Sequence, residues 1–367
     1  MSFSSFFFAG GGTGGHIYPA LAVAEKIAQL KPGAQIHFFC SDRKIDSHIL
    51  SKTGFSFTVL DARGFSISPL KFPGFLASFW KSRKTVRNIL SQSVEPVVIG
   101  VGGFVSAPVC WAASSLWIPV RLINVDIVPG KSNQFCKRWA DEVFTQFPET
   151  AAYFSRRRTK ADVVGCPLRS GFDNPQPEKA KIALGLDKNK KILLVTGASS
   201  GAQRINQAVG RILEKLDAFA ADWQIVHLTG TANFQEVKSA YANARIRSTI
   251  ADYYDDMADL LAAADLLIGR SGAVSVAEYA VSLVPSICMP YPFHNDMHQY
   301  LNAAKLVDAG AAIIVDDIDD PKDRAEWLWE ELEPLMIDDA KRAEMKKACA
   351  SIAKPDAAEQ IAKKLLE

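Results

Sequence analysis

The sequence predicts an α/β protein of two doubly wound, Rossmann-like halves, each with a mostly parallel sheet. Three observations carry that prediction. Apolar strand-like runs alternate with helical patterns, the alternation starts afresh at Lys191, and runs in both halves end in glycine turns that open helices. The 367 residues also exceed the size, about 250–300 residues, at which one core stops growing.

In the first half, residues 3–10 (FSSFFFAG), 34–41 (AQIHFFCS), 94–103 (VEPVVIGVGG) and 118–124 (IPVRLIN) read as strands, and 16–30 (HIYPALAVAEKIAQL) as a helix. The second half repeats the scheme with strands at 191–199 (KILLVTGAS), 223–230 (WQIVHLTG), 264–272 (ADLLIGRSG) and 284–292 (VPSICMPYP). Between them, residues 165–190 are rich in proline and charge and suit a linker. The expected division is residues 1–164 together with a returning C-terminal segment, 354–367, against 165–353. Two such halves would face their ligands across a cleft, because open α/β sheets bind beyond the carboxyl ends of their strands.

Composition removes several classes. A net charge of +2 gives no global attraction for nucleic acid. The six cysteines are dispersed without C-x-x-C or metal spacing and read as buried thiols in a reducing compartment. No apolar run approaches the ~20 residues of a membrane span, and Phe6-Phe7-Phe8 runs directly into glycines without a basic leader, so it reads as a strand rather than a signal peptide.

Gly10-Gly11-Gly12-Thr13-Gly14-Gly15-His16 follows a strand and opens a helix, where bare backbone N–H groups and the helix dipole suit a phosphate. A dinucleotide oxidoreductase would look the same here, with Asp42 on a ribose, and a tight turn with no ligand is the plainer alternative. His16 helps to separate these, since an imidazole beside a helix N-terminus is pushed toward the neutral form that accepts a proton; a local hydrogen-bonding histidine is the competing account.

Thr196-Gly197-Ala198-Ser199-Ser200-Gly201 repeats the turn in the second half. Gly269-Arg270-Ser271-Gly272-Ala273 precedes a helix carrying Glu278, two turns beyond Ser271 and so on its face. A carboxylate there can accept both ribose hydroxyls while the helix end faces a diphosphate; a solvent-facing helical Glu is the alternative. Residues 290–302 then gather polar and aromatic groups after a buried strand. Among them His294, Asp296 and His298 invite a zinc site, but without a fourth ligand.

These motifs resemble a known family. GGGTGGHIYPALAVAE, GVGGFVSAP, GASSGAQRINQ and RSGAVSVAEYAVSLVPSICMPYP with HQYLNA are similar, in order and over nearly the whole chain, to the MurG family of UDP-N-acetylglucosamine:N-acetylmuramyl-(pentapeptide) pyrophosphoryl-undecaprenol N-acetylglucosamine transferases. The resemblance implies a GT-B architecture with acceptor on the first domain and UDP-N-acetylglucosamine mainly on the second. It implies inverting transfer to a lipid-linked muramyl-pentapeptide in peptidoglycan synthesis, with no metal or other cofactor. A final helix around Ala357 to Leu366 would return to the first domain. His16 falls on the family's proposed base, and Thr13, Gly14 and Gly15 fall in its substrate-binding loop, with Gly102 and Gly103 on the acceptor side. The donor set falls on Arg169, Ser199, Ala273, Val274, Glu278, His298, Gln299 and Asn302. Three departures stand out: Asp126 occupies the position of an asparagine that contacts the acetamido sugar, His298 replaces the first of two glutamines, and Arg204 lies one place after the usual arginine. The implied mechanism needs the two domains to close. Another UDP-sugar transferase, an NAD-dependent oxidoreductase and a non-catalytic UDP-binding module are the competing functions.

A lipid-linked acceptor implies a peripheral enzyme at the cytoplasmic face of the inner membrane. From Ala62 to Val94 no acidic residue occurs, and Arg63, Lys71, Lys81, Arg83, Lys84 and Arg87 alternate with Phe65, Phe72, Phe75, Phe79 and Trp80. Residues 63–87 therefore suit an anionic membrane surface, although Phe75, Phe79, Val86 and Leu90 also have the spacing of a core-facing helix stripe.

Overall fold

A computed structural model describes residues 3–12, 14–64, 72–154, 159–198 and 201–367. Thr13, Ser199 and the segment 65–71 of the basic aromatic stretch lie outside the described residues. The chain divides into two compact units, residues 1–170 with 354–367, and residues 171–353.

The first unit holds a seven-stranded parallel sheet: β1 Ser5–Ala9, β2 Gln35–Ser41, β3 Ser56–Leu60, β4 Pro96–Gly100, β5 Val120–Asn124, β6 Glu142–Thr145 and β7 Lys160–Val163. Their spatial order is β3-β2-β1-β4-β5-β6-β7. The second unit holds six parallel strands, β8 Lys191–Thr196, β9 Trp223–Leu228, β10 Arg247–Ala251, β11 Leu266–Gly269, β12 Ser286–Cys288 and β13 Ala312–Ile314, in the order β10-β9-β8-β11-β12-β13. Both sheets are doubly wound from a central first strand, which leaves the chain reversing direction between β1 and β4 and between β8 and β11. Those switch points are where the carboxyl ends of parallel strands open a crevice.

Central strands of a parallel sheet are covered on both faces and so read as unbroken apolar runs. All of β1 and β9 is buried, as is β8 after its first lysine. The sequence shows no such run for β3, β7, β10 or β13, and these are the four sheet edges, short and partly exposed. The stretch read as a linker is also more structured than expected, holding the helix Pro177–Ala183.

The last helix, Ala357–Leu366, packs on the helix Gly14–Leu30 in the first unit. Gly165 (φ +103°) allows the chain to return: a Cβ there would press on Lys354 and Ala357. Lys364 adds an ion pair to Asp162, 2.5 Å.

Candidate active site

In the first unit β1 delivers the chain to Gly10–Gly12 and the helix beginning at Gly14. The loop is clamped by Asp46, fully buried in the first turn of the helix Lys44–Ser51. Its carboxylate accepts from the Gly12 N–H (2.8 and 3.0 Å), the Ser41 N–H (3.1 Å) and the Ser41 hydroxyl (2.5 Å). Arg43 donates to the Gly12 carbonyl at 2.6 Å. A side chain on Gly11 would collide with Asp46, and one on Gly103 with the Gly11 carbonyl, so close packing requires glycine at both, and at Gly103 the left-handed φ of +77° requires it as well. Asp42, the alternative ribose ligand, is exposed and is not the carboxylate that reaches the loop.

His16 lies in the first turn of the helix Gly14–Leu30. Its Nδ1 is 3.2 Å from the Gly11 carbonyl. A carbonyl can only accept, so Nδ1 carries the proton and Nε2 is the basic nitrogen of the neutral ring. Burial lowers its pKa below the ordinary 6.5, opposed by the charge of Asp126, the Gly11 carbonyl and the charge of Asp46. Gly102 (φ +117°) lets the backbone after β4 lie against the ring, where a Cβ would press on Cδ2 and Nε2. Ser106 fixes that turn, accepting from the Gly102 N–H at 3.0 Å and standing 2.8 Å from the Ala9 and Gly102 carbonyls. The half-buried Asp126 follows β5, its carbonyl accepting from Asn124 Nδ2 at 2.7 Å. Glycine turn, His16, Gly102–Gly103 and Asp126 are thus one cluster at the carboxyl ends of β1, β4 and β5. Arg169 lies in the same unit with its guanidinium 4.2 Å over the Tyr18 ring.

In the second unit β8 runs into Gly197 and the left-handed Ala198 and Gly201 (φ +60° and +73°) before the helix Gln203–Arg211. The turn is held from below: a Cβ on Gly201 would strike the Thr229 carbonyl, which also accepts from Asn206 at 3.0 Å. Asn206 in turn contacts the fully buried His227, itself 3.0 Å from the Tyr241 hydroxyl. Burial drives the His227 pKa down to about 3, so this histidine stays neutral and serves the scaffold.

The helix Ala273–Val281 is capped by Gly272. Ser271 therefore precedes the helix, and the expected shared face with Glu278 two turns on is replaced by a turn residue beside the helix start. The Ser271 hydroxyl is buried without a hydrogen-bond partner. Ala273 is buried, and Val274 and Glu278 are half-buried. Asn302, wholly buried, donates to the Ser271 carbonyl at 3.3 Å, and Gln299 accepts from the Tyr291 N–H at 3.0 Å. His298 pairs with Asp296 at 2.7 Å and stacks on His294, ring centroids 4.2 Å apart. Among the described residues no three His, Cys, Asp or Glu groups are arranged to hold a metal.

Sequence reasoning missed Asp46, and also Asp317, a buried carboxylate reached by Arg204 of the helix Gln203–Arg211 and by Arg270 of the turn before the helix Ala273–Val281. Neither sits in a recognisable motif.

Two parallel α/β sheets, each with a glycine turn at its switch point, make up a GT-B-like fold. The crystal structure of Acinetobacter baumannii MurG is similar over 98% of both chains, with TM-score 0.75 and 26% identity; the glycotransferase of kitacinnamycin shares the fold at TM-score 0.70 and 14% identity, covering 100% of both chains. The glycosyltransferase family 28 N-terminal domain matches residues 6–145 and the family 28 C-terminal domain matches residues 192–361. Named UDP-N-acetylglucosamine–N-acetylmuramyl-(pentapeptide) pyrophosphoryl-undecaprenol N-acetylglucosamine transferases are 34% identical in Desulfitobacterium hafniense (98% of this chain, 97% of the relative) and 35% identical in Lacticaseibacillus casei (96% and 95%). The chain belongs to glycosyltransferase family 28.

Proposed function

We propose that this enzyme transfers N-acetylglucosamine from UDP-N-acetylglucosamine to the lipid-linked muramyl-pentapeptide (lipid I), giving lipid II of peptidoglycan synthesis. The observation that carries the reading is a likeness of 34% identity spanning 98% of the chain to a transferase of that name. His16 takes the proton of the acceptor hydroxyl through Nε2 as that oxygen attacks the anomeric carbon and UDP leaves with inversion. The helix starts of the second unit stabilise charge growing on the diphosphate, and Glu278 accepts the ribose hydroxyls. Gly102 and Gly103 shape the acceptor side, while Thr13, Gly14, Gly15, Asp126, Arg169, Ser199, Ala273, Val274, His298, Gln299 and Asn302 complete the UDP-N-acetylglucosamine set.

UDP release tests the reaction class. Release should need donor and lipid acceptor together; release from donor alone would indicate hydrolysis or another chemistry. Glu278→Ala should weaken UDP binding by about 10–100-fold, the loss of charge-assisted hydrogen bonds of about 1.5–3 kcal/mol, and calorimetry showing unchanged affinity would remove Glu278 from the ribose site.

The membrane surface belongs to the same proposal. Among the described residues no helix is long and apolar enough to cross a membrane. The helix Phe72–Leu90 buries Ser78, Ser82, Val86 and Leu90 and exposes Phe72, Leu76 and Trp80, the last 50% accessible. Val86 and Leu90 thus take the core positions, whereas Phe75 and Phe79 are half-buried in an aromatic chain that continues through Trp111 to Trp139. Arg83 sits 5.3 and 4.9 Å from the Trp80 and Trp111 rings. Apolar insertion beside cations is the chemistry of an interfacial helix. Trp80→Glu should reduce co-sedimentation with anionic vesicles about tenfold at low salt, combining lost insertion with repulsion; unchanged sedimentation would move the contact elsewhere.

A further inference from the structure

Asp317 follows β13 with its side chain wholly buried, and three arginines converge on it. Arg204 Nε reaches Oδ1 at 2.5 Å, and the same guanidinium donates to the carbonyls of Asp317 and Ile318 and pairs with Asp319 at 2.9 Å. Arg270 Nη1 lies 2.8 Å from Oδ2. Its hydrogens go to the carbonyls of Met289 (2.8 Å) and Pro290 (3.2 Å), so its attraction to Asp317 is mainly Coulombic. Arg324, from the helix Pro321–Ile337, adds a longer contact of 3.5 Å and donates to the Ile318 carbonyl at 2.8 Å.

Two of the arginines come from separate elements of the proposed donor side. Arg204 is the second residue of the helix opened by the glycine turn at 197–201, and Arg270 is in the turn before the Glu278 helix. Each also underlies an aromatic ring of the loop after β12: Arg270 is 5.6 Å from Tyr291 and Arg204 is 5.4 Å from Phe293, and those rings meet edge to face at 5.3 Å. One carboxylate therefore ties together the glycine-turn helix, the ribose turn and the aromatic loop. The displaced arginine makes this possible, since one residue along a helix turns a side chain by about 100°. Burying such a cluster is costly and adds little stability compared with apolar packing, which leaves geometry as what it supplies.

We infer that Arg204, Asp317 and Arg270 form a positioning bridge that fixes the donor-binding loops, with Arg204 setting the pose of Phe293 against the nucleotide sugar. The bridge rests on the donor reading above. None of the three is a catalytic residue.

The test uses the full-length enzyme with UDP in calorimetry and UDP-N-acetylglucosamine in turnover, comparing Arg204→Met, Arg204→Lys, Phe293→Ala and Arg204→Met/Phe293→Ala. Arg204→Met leaves Asp317 with two arginines, so it should fold, and a thermal melt checks this. The donor KM and the UDP Kd should rise about tenfold, within the coupling expected inside one network, with kcat and the acceptor KM nearly unchanged. Arg204→Lys should fall between, because an ammonium replaces the charge without the fork. The double variant should lose less than the sum of the singles. Unchanged donor KM in folded Arg204→Met, or strict additivity with Phe293→Ala, overturns the bridge while the donor site stands. Failure of the parent to bind UDP overturns the donor reading and the bridge with it.

Discussion

Replacing His16 by alanine is expected to lower kcat about 10²–10⁴-fold, the contribution of a positioned general base, and to leave UDP affinity essentially unchanged. The proposed nucleotide set lies on other residues, so ground-state donor binding should not register the loss. The pH profile gives an independent reading. Burial lowers the His16 pKa below 6.5, so the ring is neutral and competent at neutral pH, and kcat/KM should fall only on the acid side, with a midpoint below 6.5. Asp126 is the first of the groups that raise this pKa again, so Asp126→Asn should move the acid limb to still lower pH. An acid limb that survives unchanged in His16→Ala would assign the base to another group.

The second large effect is expected from Asp46→Ala. The substitution strands the Gly12 N–H, the Ser41 N–H and the Ser41 hydroxyl in a fully buried site. An unsatisfied buried donor costs about 1–3 kcal/mol, and water entering the space left behind recovers part of it, so a net loss of about 3 kcal/mol is expected. For a unit of this size that lowers the melting temperature by on the order of 10 °C. Activity should fall even well below the melt, because the Gly10–Gly12 turn against which His16 is held loses its clamp. A variant with parental melting temperature and turnover would show that the glycines alone set the loop.

The legibility of this chain follows burial. Central strands such as β1, β8 and β9 announce themselves as apolar runs because both faces are covered, and the glycine turns at their ends are visible because close backbone approach leaves no room for a side chain. Edge strands such as β3 and β10 carry water on one side and lose the signal. The site divides similarly. His16, Gly102, Gly103 and Glu278 sit in motifs, so their neighbourhood was predictable, while Asp46 and Asp317 act at a distance in sequence: Asp46 reaches Gly12 across 34 positions and Arg204 reaches Asp317 across 113. Such pairs exist only after the sheet has brought strand ends together. The tautomer of His16 was likewise not in the sequence, since it depends on the Gly11 carbonyl turning back toward Nδ1.

The most direct test is transfer of labelled sugar to a lipid-linked muramyl-pentapeptide from UDP-N-acetylglucosamine, with UDP-glucose and UDP-galactose as parallel donors and a chelator in matched reactions. One labelled lipid product is expected, formed from the acetylated donor in preference to the others and at equal rate with chelator. Saturable UDP binding with no transfer to that acceptor, or equal transfer from the unacetylated donors, would contradict it.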